Sequence, residues 1–141
     1  MQYLLDTDIC VYIARRKPGA IRARWEGMQV GELGMSVITY LELVYGAAKS
    51  QQPEANLARV EELRENIPVV PLDAGAAKAY GRIRRTLEKK GTPIGPYDLV
   101  IAAHAVSLGL TLVTANVREF ARVEGLRVEN WARPDFPIAS P

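Results

Sequence analysis

The sequence predicts an α/β fold, a sandwich with a central parallel sheet of four to five strands and helices on both faces. Three observations carry that prediction. The chain opens on Tyr3-Leu4-Leu5, an unbroken apolar run of strand length that stops at Asp6. Such runs belong to strands buried on both faces. Further runs of this kind alternate with helical stretches, the mark of strand–helix–strand units. Glycine, proline or a capping residue punctuates most junctions.

Taken in order, the first strand ends at Asp6, and Thr7 or Asp8 is placed to cap a helix running from Asp8 to Arg16. Lys17-Pro18-Gly19 closes it, and Pro18 can start the next helix through Ala20, Ile21 and Trp25. A turn region follows from Gly27, then a second strand, Leu33 to Ser36, with Ser36 capping a helix from Val37 to Lys49. Pro53 suits the first turn of a helix reaching Asn66, and Pro68-Val69-Val70-Pro71-Leu72 reads as a third strand. Asp73 caps a helix from Ala74 to Lys90, stopped by Gly91. The rigid loop Thr92 to Pro96 delivers an apolar helix, Tyr97 to Leu108, stopped by Gly109. Leu110 to Val113 is a fourth strand, Thr114 to Glu119 a loop entering a helical turn, and Leu126 to Glu129 a fifth strand.

With 141 residues, 48% hydrophobic and 24% charged, the chain is expected to be one globular domain over 1–131 and an irregular, proline-bearing tail over 132–141. No apolar run reaches membrane length, and the N-terminus lacks a basic-then-apolar leader, so a cytoplasmic protein is expected. The lone Cys10 agrees with a reducing compartment; among Ile9, Val11 and Ile13 it reads as a core residue. A net charge of +2, from 18 basic and 16 acidic residues, neither demands nor excludes a nucleic-acid partner.

Four acids stand in surroundings that do not suit them. Asp6 ends a buried strand. Glu42 lies in Tyr40-Leu41-Glu42-Leu43-Val44-Tyr45, with Ile38, Tyr45 and Gly46 as helical neighbours. Asp98 opens the apolar helix, and Glu119 follows the fourth strand. Each has an ordinary alternative: a turn residue, a snorkelling or surface acid, or an acid favoured by its helix dipole by ~0.3–1 kcal/mol. Together they point elsewhere, because open parallel sheets bind ligands outside the carboxyl ends of their strands. Two carboxylates ~5 Å apart repel by roughly 3 kcal/mol at an effective dielectric near 20. Clustered acids must share a proton or hold a cation. No histidine or nucleophile is spaced to share the work, so the cation is favoured. Hard oxygen ligands select Mg²⁺, with Mn²⁺ as a substitute, and the reaction class is metal-dependent phosphoester hydrolysis.

Thr7, Thr114 and Asn116 neighbour these acids and can orient a water or a phosphate oxygen, or else cap turns and strand ends. His104, mid-helix between Ala103 and Ala105, is read as a buried, hydrogen-bonded histidine. Arg15, Arg16 and Lys17, with Arg82, Arg84, Arg85, Lys89 and Lys90, offer an RNA track or simply a solvated face. From this set Arg15, Arg82 and Arg85 are the candidate RNA-binding residues.

Leu4-Leu5-Asp6-Thr7-Asp8, Leu41-Glu42-Leu43 with Tyr45-Gly46-Ala47, Ile94-Gly95-Pro96-Tyr97-Asp98, and the segment Thr114 to Phe120 resemble the PIN-domain ribonucleases. Within them the chain is similar to the VapC toxins of VapBC toxin–antitoxin pairs, over nearly its whole length before the tail. The resemblance implies a PIN-like sandwich and a Mg²⁺-dependent endoribonuclease that halts translation by cutting RNA. Asp6 and Asp98 match the family's metal ligands and Glu42 its third acid. Family members often carry Asp where Asn116 stands, which leaves Glu119 as the remaining carboxylate. The resemblance further implies a transfer RNA substrate, first the initiator anticodon stem-loop, a homodimer, and a VapB-type antitoxin that obstructs the acidic site.

Two other families use acids in this way. Haloacid-dehalogenase-like phosphatases begin with Asp-x-Asp, as Asp6-Thr7-Asp8 does, but need Thr or Val where Cys10 stands. Non-catalytic receiver domains would use Asp73 after the third strand, yet need a lysine closing the fifth, and Leu126 to Trp131 holds none. Neither accounts for Glu42 and Asp98.

Overall fold

The computed structural model describes residues 1–16 and 19–132. The breaker Lys17-Pro18 and the tail from residue 133 onward lie outside the described residues. The elements are β1 (Tyr3–Leu5), α1 (Thr7–Ala14), α2 (Ala20–Glu26), β2 (Leu33–Ser36), α3 (Val37–Ala48) and α4 (Pro53–Asn66). They continue as β3 (Val69–Val70), α5 (Ala74–Lys90), α6 (Pro96–Leu108), β4 (Thr111–Val113), α7 (Val117–Phe120) and β5 (Val128–Glu129).

The five strands form one parallel sheet in the order β3-β2-β1-β4-β5. The chain builds outward from β1 on one side through β2 and β3, then crosses to the other through β4 and β5. Strand order therefore reverses between β1 and β4, and the crevice of such a fold opens at their carboxyl ends. Side chains alternate across the pleat. Tyr3 and Leu5 of β1 join a core with Ile9, Ile13, Leu43 and Leu63, beneath α1, α3 and α4. Leu4, between them, joins the opposite core with Ile83, Leu99, Ile101 and Leu112, beneath α5 and α6. Both faces are covered, as an apolar parallel sheet requires.

The helices follow from their sequences. Ala76, Ala79, Ile83 and Leu87 of α5 recur at three- and four-residue spacing and form its buried stripe. On α6, Leu99 and the run Ile101 to Ala105 are buried, and its alanines let α5 pack close. Gly91 and Gly109 end α5 and α6 in the left-handed region at φ 67°, where a glycine carries no steric penalty. Pro53 and Pro96 occupy first-turn positions. Ser36 and Asp73 cap α3 and α5 as expected, accepting from the Ile38 and Ala76 amides at 3.1 and 3.0 Å.

Several expectations are revised in detail: the first helix is Thr7–Ala14 and not Asp8 to Arg16, the fourth strand starts at Thr111 and not Leu110, and the fifth starts at Val128 and not Leu126. In the run Pro68 to Leu72 the strand proper is only Val69–Val70, because the flanking prolines have no amide to donate, although the Pro68 carbonyl still accepts from the Met35 amide at 2.9 Å. The apolar helix starts at Pro96, so Asp98 sits inside its first turn. The cap of α1 belongs neither to Thr7 nor to Asp8, which lie within the helix, but to Asp6. Cys10 is fully buried. His104 is buried too, with Nδ1 2.9 Å from Ser36 Oγ. Among the described residues no helix is long and apolar enough to cross a membrane.

Candidate active site

Asp6 leaves β1 and Thr114 leaves β4, so the switch in strand order sets them side by side. The Asp6 backbone is extended (φ −77°, ψ 174°), which swings its carboxylate over the first turn of α1, where Oδ1 accepts from the Ile9 amide at 3.0 Å. The Thr114 hydroxyl donates to Oδ2. That hydroxyl in turn accepts from the Asn116 amide at 2.9 Å, and Asn116 Nδ2 donates to Glu119 Oε2 at 2.8 Å. The other Glu119 oxygen accepts from the Gly95 amide at 3.0 Å. Thr7, released from capping, donates through Oγ1 to Glu42 Oε1 at 2.6 Å.

Asp6, Glu42, Asp98, Glu119, Thr7, Thr114 and Asn116 are thus drawn into one neighbourhood by hydrogen bonds and mutual charge. The electrostatics record the crowding. Burial pushes the Asp6 carboxyl up to about 7, although its hydrogen bonds with Thr114 and Ile9 pull the other way; the charges of Asp8 and Asp98 add to the rise. Asp98 is pushed up to about 6, by burial first and then by Glu119, with Glu42 and Asp8 adding their charge. Glu119 is held below the usual carboxylate range, chiefly by the Gly95 amide. As pH falls, Asp98 therefore takes up a proton before Glu119 does.

A comparison inside the molecule shows what this cluster lacks. Asp6 and Glu129 are the buried acids among the described residues, 5% and 3% exposed. Glu129, at the end of β5, is compensated: Arg24 pairs with it at 2.8 Å and the Trp131 indole donates to it at 3.0 Å. Asp6, Glu42, Asp98 and Glu119 have no Lys or Arg ion pair among the described residues. The donors are oxygen throughout, and apart from the Arg122 charge acting on Glu119 the acids face no neighbouring cation among the described residues, which fits a hard divalent cation. Among the described residues no group of three or more acids, histidines or cysteines is placed to hold a metal ion, so any ion here would rest on fewer protein ligands. An open site is what Mg²⁺ ordinarily takes, since it keeps several waters and binds one or two carboxylates plus phosphate oxygens.

The basic residues behave differently. Arg15 is exposed at the far end of α1, an eight-residue helix, so about 12 Å of helix separates it from Asp6. Arg82 and Arg85 are exposed on α5, and none of these three makes an ion pair among the described residues. Arg84 is committed to Tyr80 Oη at 2.9 Å and Glu88 at 3.2 Å. A hollow of about 320 Å³, lined in part by Tyr12, Arg22, Trp25, Arg59 and Leu63, lies between α1, α2 and α4, and none of the four acids contributes to it.

Sequence reasoning missed two contributors. Asp8, in the sequence one of two alternative caps with Thr7, acts instead through its charge on both Asp6 and Asp98. Gly95 supplies the amide that orders Glu119; a Cβ there would lie 3.7 Å from Asp98 Oδ2 and 3.8 Å from Glu119 Oε1. The signal for Gly95 was present, because prolines on either side of Ile94-Gly95 leave few amides in that loop free to donate.

The family model for the PIN domain matches residues 3–126, and the chain belongs to the PIN-domain family. Its relatives narrow the class. The chain is 46% identical over 132 residues to the tRNA(fMet)-specific endonuclease VapC of Shigella flexneri, spanning 94% of this chain and 99% of that protein. Ribonuclease VapC2 of Haemophilus influenzae (strain Rd) is 43% identical over 131 residues, 93% of this chain and 98% of its own. A crystal structure of DNA-bound VapBC from Salmonella typhimurium aligns at a TM-score of 0.88 and 46% identity, over 93% of this chain and 98% of that one. Within the family, the chain falls among the VapC ribonucleases, and the activity class is RNA cleavage. The phosphatase and receiver alternatives drop out; Asp73, which a receiver would phosphorylate, is the cap of α5.

Proposed function

We propose that this chain is the Mg²⁺-dependent endoribonuclease toxin of a toxin–antitoxin pair, paired with a VapB-type antitoxin and acting on transfer RNA. The initiator anticodon stem-loop is the first substrate to test, on the strength of the tRNA(fMet)-specific name of the Shigella relative. The observation that carries the metal assignment is the uncompensated charge of Asp6 and Asp98, raised to about 7 and about 6 with no basic partner.

In this reading Asp6 and Asp98 are the ligands that would hold the ion, and Glu42, whose charge acts on Asp98, is the candidate third ligand that would have to move in to complete the set. When bound, a divalent cation lowers the pKa of a coordinated water and offsets charge gathering on a phosphodiester. The chain's own residues do the positioning. Thr114 fixes Asp6 in rotation, and Thr7 holds one Glu42 oxygen, leaving the other without a hydrogen bond among the described residues. Glu119 has both oxygens engaged by Gly95 and Asn116, so its role is to orient Asp98 and raise its affinity for a proton.

Purified protein incubated with labelled initiator and elongator transfer RNAs, with MgCl₂ or with EDTA, tests each layer. Cleavage restored by Mg²⁺ after EDTA treatment supports the metal assignment; equal cleavage in EDTA overturns it. Cutting of elongator species in preference to the initiator would overturn the substrate assignment alone.

A further inference from the structure

The six tyrosines divide sharply by environment. Tyr3 packs edge-on against Trp131 with ring centroids 5.5 Å apart. Tyr40 donates to Glu61 at 2.6 Å, and Tyr80 accepts from Arg84 at 2.9 Å. Tyr12 lines the hollow between α1, α2 and α4 and is partly covered. Tyr45 and Tyr97 are the exceptions, 65% and 53% exposed, with no hydrogen-bond partner among the described residues.

Their placement is specific. Tyr45 lies one helical turn beyond Glu42 on α3, at the three-residue spacing that puts side chains on one face. Tyr97 directly precedes Asp98 in the first turn of α6. Each of these two helices therefore carries one site acid and, within one turn of it, one exposed aromatic ring. The Lys49 ammonium sits 5.1 Å from the centre of the Tyr45 ring.

We infer that Tyr45 and Tyr97 are base-stacking platforms that hold unpaired nucleotides of the RNA on either side of the acids. This rests on the ribonuclease reading and extends it to how substrate is gripped. The acids repel the RNA backbone at the place where it must approach closest. Stacking on a neutral ring provides a hold that does not depend on charge, and every base has a face to offer. Unpaired bases can splay onto such rings, whereas paired ones cannot, so the arrangement selects loops and single strands. Lys49 above Tyr45 supplies a cation for the phosphate next to the stacked base.

The test measures binding of a hairpin RNA with an unpaired, mixed-sequence loop carrying 2-aminopurine, using the Asp98→Asn variant so that the probe survives. Tyr45→Leu and Tyr97→Leu should each weaken binding by about tenfold and relieve the fluorescence quenching that stacking produces. Tyr→Phe at either position should return affinity to within about twofold, because the ring and not the hydroxyl does the stacking. The Leu variants should leave the salt dependence of binding unchanged, while Lys49→Gln should make it shallower. Cleavage of total cellular RNA by the wild-type protein is the control; its absence overturns the ribonuclease reading and this inference with it. Wild-type cleavage together with Leu variants that bind and quench like the parent overturns the inference alone. A change in mass of the Leu variants on equilibrium sedimentation also overturns it, assigning the rings to contact between copies of the chain.

Discussion

Thr7 and Glu42 are joined by a 2.6 Å hydrogen bond that spans 35 residues of sequence and ties α1 to α3 at the mouth of the acidic crevice. It is available because Asp6 has taken over the helix cap, leaving the Thr7 hydroxyl free to donate. Hydrogen bonds to a charged group contribute ~1.5–3 kcal/mol when partly sheltered from water. Thr7→Val should therefore lower stability by about that amount and slow RNA cleavage by about tenfold, with Thr7→Ser recovering most of both. Denaturant unfolding and single-turnover cleavage check it; equal rates for Val and Ser would remove Thr7 from the positioning of Glu42.

The Asp6 carboxyl carries a sign that can be measured without metal. Its folded pKa of about 7 lies above the unfolded carboxylate value because burial penalises the charge. Between roughly pH 4 and 7 the folded protein thus holds more protons than the unfolded chain, and stability falls as pH rises through that window. In EDTA, unfolding free energy should drop by a few kcal/mol, on the order of what such a shift represents, and level off above pH 7. Asp6→Asn should flatten the slope and abolish cleavage while leaving the fold intact. A slope that survives the substitution would place the titration elsewhere.

His104 should produce the opposite slope. Burial lowers its pKa, so the folded protein resists protonation where the unfolded chain accepts it. Stability is then complete above the unfolded histidine value of about 6.5 and declines as pH falls below it. His104→Asn, which can keep a contact to Ser36, should cost stability at pH 7.5 yet remove this acid-side decline. Urea titrations from pH 7.5 to 5 would show it.

Glu119→Gln removes a charge that holds Asp98 up and leaves an amide nitrogen facing the Asn116 amide. Asp98 should titrate lower in the metal-free protein, by carboxyl NMR, and cleavage should fall in part, by roughly the tenfold that loss of one positioning hydrogen bond implies. An unchanged rate and an unmoved titration together would shift that role to Asn116.

Arg82 and Arg85 are exposed and form no ion pair among the described residues, unlike Arg84 beside them. If they track RNA, Arg82→Gln with Arg85→Gln should reduce the salt slope of binding by about 0.7 for each lost single-strand phosphate contact. An unaltered slope would leave them as solvated surface.

Much of this protein was legible along the chain because its signals are local. The apolar run before Asp6, the Ser36 and Asp73 caps and the glycine stops after α5 and α6 lie within a few residues of the structure they dictate. Motif spacing likewise singled out Asp6, Glu42, Asp98 and Glu119 as one group. The sequence is ambiguous where several local solutions compete. Asp6, Thr7 and Asp8 can each cap α1, and the choice was made by the backbone direction with which β1 enters the helix.

By itself, then, the sequence determined the α/β class, the helices, and the identities of the acids at the strand ends, since periodicity and capping act through neighbours. Tertiary structure alone decided that buried Glu129 is neutralised by Arg24 while buried Asp6 is left without a cation. It alone decided that the Asp98 carboxyl is pushed up while Glu119 is held down. Both outcomes are set by charges and dipoles brought within a few ångströms from distant parts of the chain, where Coulomb energies become large, and no local pattern encodes those distances.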